Sequence, residues 1–226
     1  MGSSNKKVDK ALDLKMKKRF LRQTQMIAAA EKLFTANGFD GTRMEAITEE
    51  LGYSKRTFYL YFRDKNDIFY AVLLPSFKTL YDRMYDAVAS KSTGFEKIIA
   101  QTHSYFAYYS ENPNFFELNR TYEAHNSYYL RKPDNKSSEF EIECQNLNNK
   151  MTELLISSIK QGIKDKSIRI KLEPKKAFLL LWGMALGVME VTIMRTKQLD
   201  TIFQTSAEEI FNKYIFFLKN FLGNEK

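Results

Sequence analysis

The feature that most restricts the fold is a glycine break between two short amphipathic segments near the start of the chain. Within residues 39–74, Met44, Ile47 and Leu51 recur at the spacing of one face of a helix, and Gly52 follows at once. Because glycine adopts a left-handed conformation without steric cost, Gly52 is predicted to end this first helix. Ser54 follows after one further residue, and the second segment begins at Lys55.

Hydroxyl and carboxylate side chains stand where the helices are expected to begin. Thr42 and Glu45 have the spacing of a capping box, which predicts that the first helix begins at Thr42. Ser54 is a candidate N-cap for the second helix, and Asp64 for a third helix that begins near Lys65.

The second segment, residues 55–62, would bury Phe58 and Phe62 and leave polar side chains exposed. The exposed ones are Lys55, Arg56, Thr57, Tyr59 and Tyr61. Cations, hydroxyls and phenols bind phosphate oxygens, and Lys or Arg also contacts guanine edges in the major groove. The arrangement is typical of a helix-turn-helix. Two capped helices with exposed charges also occur in many other soluble proteins, so the spacing alone leaves both interpretations open.

A longer ordered set of residues carries a family resemblance. The set comprises Ala29-Ala30-Glu31-Lys32-Leu33-Phe34, Gly38-Phe39-Asp40-Gly41-Thr42, Ile47, Gly52, Ser54-Lys55, Thr57, Tyr59, Tyr61-Phe62, Lys65 and Ile68-Phe69. On these residues, positions 25–74 resemble the N-terminal domain of TetR-family transcriptional regulators. The resemblance implies an all-α fold, with an N-terminal three-helix helix-turn-helix domain joined to a larger helical ligand-binding and dimerisation domain.

The resemblance also implies which residues contact DNA. Those expected to position the phosphates are Thr42, Ser54, Thr57, Tyr59 and Lys65, and those expected to read bases are Lys55, Arg56 and Tyr61, with Arg43 as an additional candidate. The chain departs from the family pattern at three positions. Arg56 stands where the family often has glycine, Tyr53 where it often has valine, and Thr48 where it often has alanine. Arg56 should strengthen the major-groove contact, whereas Thr48 and Tyr53 leave the local packing open.

Basic charge is concentrated at the N-terminus. Residues 1–30 contain eight basic and two acidic residues, against a net charge of +8 for the whole chain. This charge would attract phosphates beside the helix-turn-helix, although a solvated tail is the commoner role of such a segment. Residues 1–18 are therefore a basic, flexible arm or the frayed start of the first helix. We assign residues 19–74 to the helix-turn-helix domain and residues 75–226 to the effector-binding and dimerisation domain.

The middle of the chain is rich in aromatic residues at helical spacing. The resemblance implies a cavity there that binds a small, often hydrophobic effector. The candidate effector-binding residues are Phe106, Tyr109, Phe116, Tyr122, Met151, Leu155, Trp182 and Met189. Since aromatic and Met stripes usually form the core, plain packing is the alternative.

The last two helices have the pattern of an association surface. The apolar run at residues 177–189 is shorter than the roughly 20 residues that a membrane span needs, so we expect no membrane segment. The final helix, over residues 205–222, has an apolar face too wide for one neighbour. We predict a homodimer through these two helices, with a near-palindromic operator in double-stranded DNA; an intramolecular core is the alternative.

Other classes of function find little support in the residues. The single cysteine, Cys144, excludes an intramolecular disulfide and fits a reducing cytoplasm. Glu123, His125 and His103 lack metal-ligand spacing, and no phosphate-binding loop, dinucleotide turn or nucleophile elbow occurs. We therefore expect no enzyme, no metal and no cofactor.

Two functions remain open from the sequence. The first is a sequence-specific transcriptional regulator, a repressor that a small-molecule effector releases from DNA. The alternative is an interaction protein that carries the helix-turn-helix but acts mainly through a protein partner.

Overall fold

The chain folds almost entirely into helices. The computed structural model describes residues 2–125, 137–169 and 171–223, without the side chains of residues 2–11 and of His125. The helices are α1 (Gly2–Gly41), α2 (Met44–Glu50), α3 (Lys55–Tyr59), α4 (Lys65–Ala89), α5 (Gly94–Glu111), α6 (Pro113–His125), α7 (Glu139–Lys164), α8 (Pro174–Met194), α9 (Thr196–Thr201) and α10 (Ala207–Leu222). Extended pairing within the described ranges is limited to an isolated bridge between Ile168 and Gly223. The predicted all-α fold is confirmed.

Two of the expected helix starts are found in the structure. The Ser54 hydroxyl accepts a hydrogen bond from the Thr57 amide at the start of α3, and the Asp64 carboxylate accepts one from the Asp67 amide at the start of α4. Gly52 has a φ of 66°, which is the left-handed turn expected after α2.

The predicted capping box at Thr42 is wrong. Arg43 is the N-cap of α2, and it makes no side-chain capping bond. The Thr42 hydroxyl instead donates to the carbonyl oxygens of Gly38, at 2.7 Å, and Leu33, at 3.1 Å. The last carbonyl oxygens of a helix have no N–H donor within the helix, and the Thr42 hydroxyl supplies a donor to two carbonyls of α1.

Helix α3 is shorter than the segment expected from residues 55–62. It ends at Tyr59, and the two residues that follow form a turn. Phe58 and Phe62 are nevertheless both buried, as the spacing predicted. The polar residues 132–138, which include Pro133, predict an exposed loop. Most of that range lies outside the described residues.

Helix α4 joins the helix-turn-helix to the rest of the fold. Its first half, including Ile68, Leu73 and Phe77, is buried in the core that α1, α2 and α3 build. Its second half contributes Leu80 and Met84 to a separate cluster with α5, α6 and α8. Helix α4 also packs along α5 and α7, so it belongs to both parts of the fold. Helices α6 and α7 join them as well, because Tyr122 and Cys144 lie in the first core.

The N-terminus of α5 is fixed against the C-terminal end of α7 at very short range. A Cβ atom added to Gly94 would lie 2.0 Å from the backbone nitrogen of Gly162 and 2.4 Å from the carbonyl oxygen of Ser158. The Gly94 amide donates to the Asp165 carboxylate at 2.9 Å, and the Phe95 amide donates to the Ser167 hydroxyl at 3.1 Å. Two of the free amides of α5 are thereby satisfied by the end of α7.

We predict that Gly94→Ala destabilises the protein by about 3 kcal/mol and lowers its melting temperature by roughly 10 °C, because the backbone of α7 cannot yield to the methyl group. Thermal denaturation followed by circular dichroism measures this change. Gly41→Ala is the matched control, since its Cβ would meet only the Asn37 Cβ at 3.6 Å. Equal melting temperatures for the two variants would contradict the prediction.

Candidate nucleic-acid interface and effector cavities

Helix α3 presents a polar face to solvent and an aromatic side chain to the core. Lys55, Arg56 and Tyr59 are exposed, whereas Phe58 is fully buried. The buried ring fixes the rotation of the short helix, so these three side chains project outward together. A helix of this size with cationic and phenolic side chains fits the major groove of duplex DNA.

Two hydroxyls lie at the start of α3. The Ser54 and Thr57 hydroxyl oxygens are 2.9 Å apart, and Ser54 also accepts the Thr57 amide at 3.1 Å. One of the two hydroxyl hydrogens forms the bond between them, and the other is available to a phosphate oxygen. The cap that begins the helix is therefore also a donor at its N-terminal end.

The two cations of α3 have different surroundings. Lys55 forms an ion pair with Glu45 of α2, whose hydrogen bond raises the pKa of Lys55 and lowers the pKa of Glu45. Arg56 is exposed and pairs with no acidic group among the described residues. Its guanidinium can engage a base edge without first leaving a partner, whereas Lys55 must give up Glu45.

Lys65 lies at the junction of α1, α2 and α4. Its ammonium donates to the carbonyl oxygens of Phe39, at 2.9 Å, and Thr42, at 3.2 Å, and lies 4.2 Å from the centre of the Phe39 ring. An ammonium has three donors, so one remains for a phosphate. The side chain therefore holds the α1–α2 connection to α4, a role that the sequence did not indicate.

The remaining DNA candidates are not all at the exposed face. Thr42 is buried, with its hydroxyl occupied inside the domain, which argues against its expected phosphate contact. Tyr61 lies beyond the end of α3, partly buried, with the Arg19 guanidinium 5.8 Å from its ring centre. Arg43 is exposed at the start of α2. Of the predicted DNA contacts, Arg43, Ser54, Lys55, Arg56 and Tyr59 are thus exposed at α2 and α3, whereas Thr57, Tyr61 and Lys65 are partly buried.

Tyr53 and Thr48, the two departures from the family pattern whose packing was open, both form hydrogen bonds in the structure. The Tyr53 hydroxyl donates to the Gln25 side chain at 3.0 Å, which ties the turn to α1. The Thr48 hydroxyl donates to the Glu45 carbonyl at 2.8 Å within α2.

Two small cavities adjoin each other in the larger part of the fold. The first, which we call the α10 cavity, has a volume of about 40 Å³ and lies between α5, α8 and α10. The second, the α6 cavity, has a volume of about 30 Å³ and lies between α5, α6 and α7. Met84, Tyr105, Leu155 and Trp182 line both and form the partition between them.

Six of the eight predicted effector residues line these cavities. Phe106 and Met189 line the α10 cavity, Tyr109 and Met151 line the α6 cavity, and Leu155 and Trp182 line both. Phe116 packs against Tyr109 and lines neither, and Tyr122 belongs to the core beneath the helix-turn-helix with Phe77. Both rings pack in the core, which is what the alternative interpretation of the aromatic stripes predicts.

The wall of the α10 cavity contains a polar residue that the sequence did not predict, Gln101, because no pattern distinguishes a buried glutamine from a surface one. The Gln101 amide nitrogen donates to Ser158 at 2.8 Å and to the Lys97 carbonyl at 3.1 Å, while its buried oxygen meets no hydrogen-bond partner in the described part of the chain. The buried Tyr109 hydroxyl also meets none there. Burial raises the pKa of Tyr109 well above its usual value, so the hydroxyl stays protonated.

The structure brings no three potential metal-ligating side chains together among the residues that it describes. Burial lowers the pKa of His103, whose ring lies against Phe211 rather than beside Glu123. The side chain of His125 lies outside the described part.

Comparison with known proteins supports the interpretation of the exposed face. Residues 26–72 match the model of the bacterial regulatory proteins of the tetR family. The chain is 22% identical over 187 residues to the fatty acid metabolism regulator protein of Bacillus subtilis (strain 168), a match that covers 83% of this chain and 91% of that protein. The resemblance to TetR-family regulators is confirmed, and both matches are to regulatory proteins.

Solved structures confirm the fold over most of the chain. A tetR-family regulatory protein from Rhodococcus RHA1 has a TM-score of 0.66 and 15% identity, over 90% of this chain and 98% of that one. The transcriptional regulator FadR from Bacillus subtilis, in complex with stearoyl-CoA, has a TM-score of 0.65 and 18% identity, over 88% of this chain and 98% of that one. The all-α arrangement with an N-terminal helix-turn-helix is therefore shared.

We predict that Arg56→Ala lowers the discrimination between operator variants at the base pair that Arg56 contacts, because a bidentate pair of hydrogen bonds to the base is removed. The expected loss is about 1–3 kcal/mol, or roughly fivefold to hundredfold in relative affinity. Titration of the operator and its single-base variants with purified protein measures the ranking. Arg120→Ala removes the same charge from distant α6 and should leave the ranking intact. An unchanged ranking in Arg56→Ala would show that another residue reads the base.

Proposed function

We propose that this protein is a cytoplasmic, homodimeric transcriptional repressor that binds a near-palindromic operator through α3 and leaves it when a small-molecule effector with an apolar chain binds. Residues 19–74 form the DNA-binding domain, and residues 75–226 form the domain that binds effector and dimerises. The match of residues 26–72 to the tetR family and the exposed polar face of α3 support the first part of this assignment.

The observation that carries the proposal is the continuity of α4 from the DNA-binding domain to the cavities. Ile68 is buried in the helix-turn-helix core, and Met84 of the same helix lines both cavities. Pro75 lies between them and removes one hydrogen bond, but the helix continues through it. A change at the cavity wall therefore reaches the core beneath α3 through a shared helix.

The size of the cavities explains why an effector would move this helix. Volumes of about 40 and 30 Å³ hold a few water molecules, whereas ligand sites commonly reach 300–1,000 Å³. An effector that binds here must separate the helices around the partition of Met84, Tyr105, Leu155 and Trp182. Such a ligand binds the expanded conformation better than the compact one and shifts the population toward it.

The lining residues favour an elongated apolar effector. The walls of both cavities are mostly aliphatic and aromatic, and joining the two cavities across Trp182 would give an extended channel. The similar regulator from Bacillus subtilis was solved with stearoyl-CoA. We assign long-chain acyl-CoA as the effector class, with the acyl chain in the joined cavities.

The dimer follows from apolar side chains that the subunit leaves uncovered. Helix α8 is long and apolar enough to cross a membrane by length and composition alone, yet little of its apolar length is buried in the subunit. Its exposed side chains include Leu179, Leu180 and Met184, and those of α10 include Phe216, Phe217 and Phe221. A Cβ atom on Gly183 or Gly187 would meet nothing within 4 Å, so both glycines face open space where a partner helix can approach closely. A second copy covers this surface in a four-helix interface.

We predict that stearoyl-CoA releases the wild-type protein from its operator and that Ala185→Leu abolishes this release, since the larger side chain fills the α10 cavity. The operator is obtained by selection from genomic DNA with purified protein, and binding is measured by fluorescence anisotropy with and without the ligand. Ala107→Leu, at an exposed position of α5, is the matched control. Release that is equal in all three proteins would place the effector elsewhere.

We predict that Phe217→Glu dissociates the dimer, because the charge would be buried at the centre of the α8–α10 surface without a partner. Sedimentation equilibrium should give the mass of one subunit for this variant and of two for the wild type. Tyr85→Glu changes another exposed aromatic side chain, on α4, and should remain dimeric. A wild-type protein with the mass of one subunit would refute the dimer.

A further inference from the structure

Helix α1 extends well beyond the core that it serves. Its first residue in that core is Met26, and positions 12–25 are exposed except for the half-buried Gln23. At 1.5 Å per residue these fourteen residues project about 20 Å. Isolated helices of this length are marginally stable in water, so an extension with few packing partners gains stability from whatever it binds.

Four cations share one face of this extension. Lys15, Lys18, Arg19 and Arg22 follow the i, i+3, i+4, i+7 spacing, and we call them the cationic stripe. Together with Leu60 and Tyr61 they line an open groove of about 510 Å³ beside the end of α3. The stripe therefore lies on the same side of the protein as the helix proposed to enter the major groove.

The cationic stripe has no acidic partner among the described side chains. The ion pair in this segment joins Lys17 to Asp13 at 2.8 Å, and Lys17 lies on the opposite face of the helix. Like charges three and four residues apart repel one another along a helix. The stripe thus concentrates unneutralised positive charge that a polyanion would relieve.

Duplex DNA presents a matching density of negative charge. The stripe is about 10 Å long, and the same length of duplex carries about six phosphate charges. We propose that the cationic stripe binds the phosphate backbone flanking the segment that α3 contacts, which extends the operator footprint outward on each half-site. This inference rests on the proposed function and adds a second DNA-binding surface to it.

A second copy of the chain is the competing occupant of this helix. Leu12, Met16 and Phe20 are exposed at four-residue spacing on an adjacent face. The charge of the stripe and its position beside α3 favour DNA, because two like-charged stripes would repel in a contact between copies.

The test compares two duplexes that share the selected operator: one limited to the core and one with ten further base pairs on each side. Wild-type protein should bind the longer duplex on the order of tenfold more tightly at about 0.1 M salt. The variant Lys15→Gln/Lys18→Gln/Arg22→Gln should lose this gain while it binds the core duplex as before. Its salt slope on the long duplex should fall by about 0.9 for each phosphate that the variant no longer neutralises. Arg19 is left in place because it contacts Tyr61.

Lys17→Gln is the matched control and should retain the whole gain. A flank-dependent gain that is equal in the triple variant and the wild type overturns the inference and leaves the proposed function intact. A triple variant whose solution mass changes while its flank gain persists would assign the stripe to a contact between copies and also overturn it. Failure of the wild type to bind any core duplex would overturn both proposals.

Discussion

The burial of α4 in two separate cores is the constraint on which the rest of the molecule depends. Ile68, Leu73 and Phe77 hold its first half in the helix-turn-helix core, and Leu80 and Met84 hold its second half among α5, α6 and α8. Where the two halves meet, the buried Tyr108 hydroxyl donates to Ser76 at 3.0 Å. Neither core can shift along this helix without disturbing the other, since packed interiors transmit displacement rather than absorb it.

Local signals in the sequence predicted the helix-turn-helix well, and they failed where a tertiary contact competed. Ser54, Asp64 and Gly52 act within a few residues of their own position, so their roles could be predicted from spacing. Thr42 has an equally good local signal, yet its hydroxyl closes α1 through Leu33 and Gly38. Lys65 likewise gained a structural role from Phe39, a residue 26 positions away that no local pattern connects to it.

Periodicity identified the buried faces of the middle helices but not the spaces between them. Phe116 and Tyr122 lie in aromatic helices just as Phe106 and Tyr109 do, and only the three-dimensional packing shows which rings fill the core and which line a cavity. Gln101 illustrates the converse, because a buried amide in a cavity has no sequence signature that sets it apart from a surface glutamine. The apolar surfaces of α8 and α10 were easier to recognise, since their width exceeds what one neighbouring helix covers.

The ion pair between Lys55 and Glu45 has a consequence for how the protein searches along DNA. A duplex that approaches α3 meets a cation already neutralised and a carboxylate that its phosphates repel. In the proposed complex, a base that offers Lys55 a better acceptor than Glu45 compensates for breaking this exposed pair, whereas a base without such an acceptor does not. Exposed pairs contribute at most about 1 kcal/mol, so Glu45 would act as a mild competitor for Lys55 at unrelated sites.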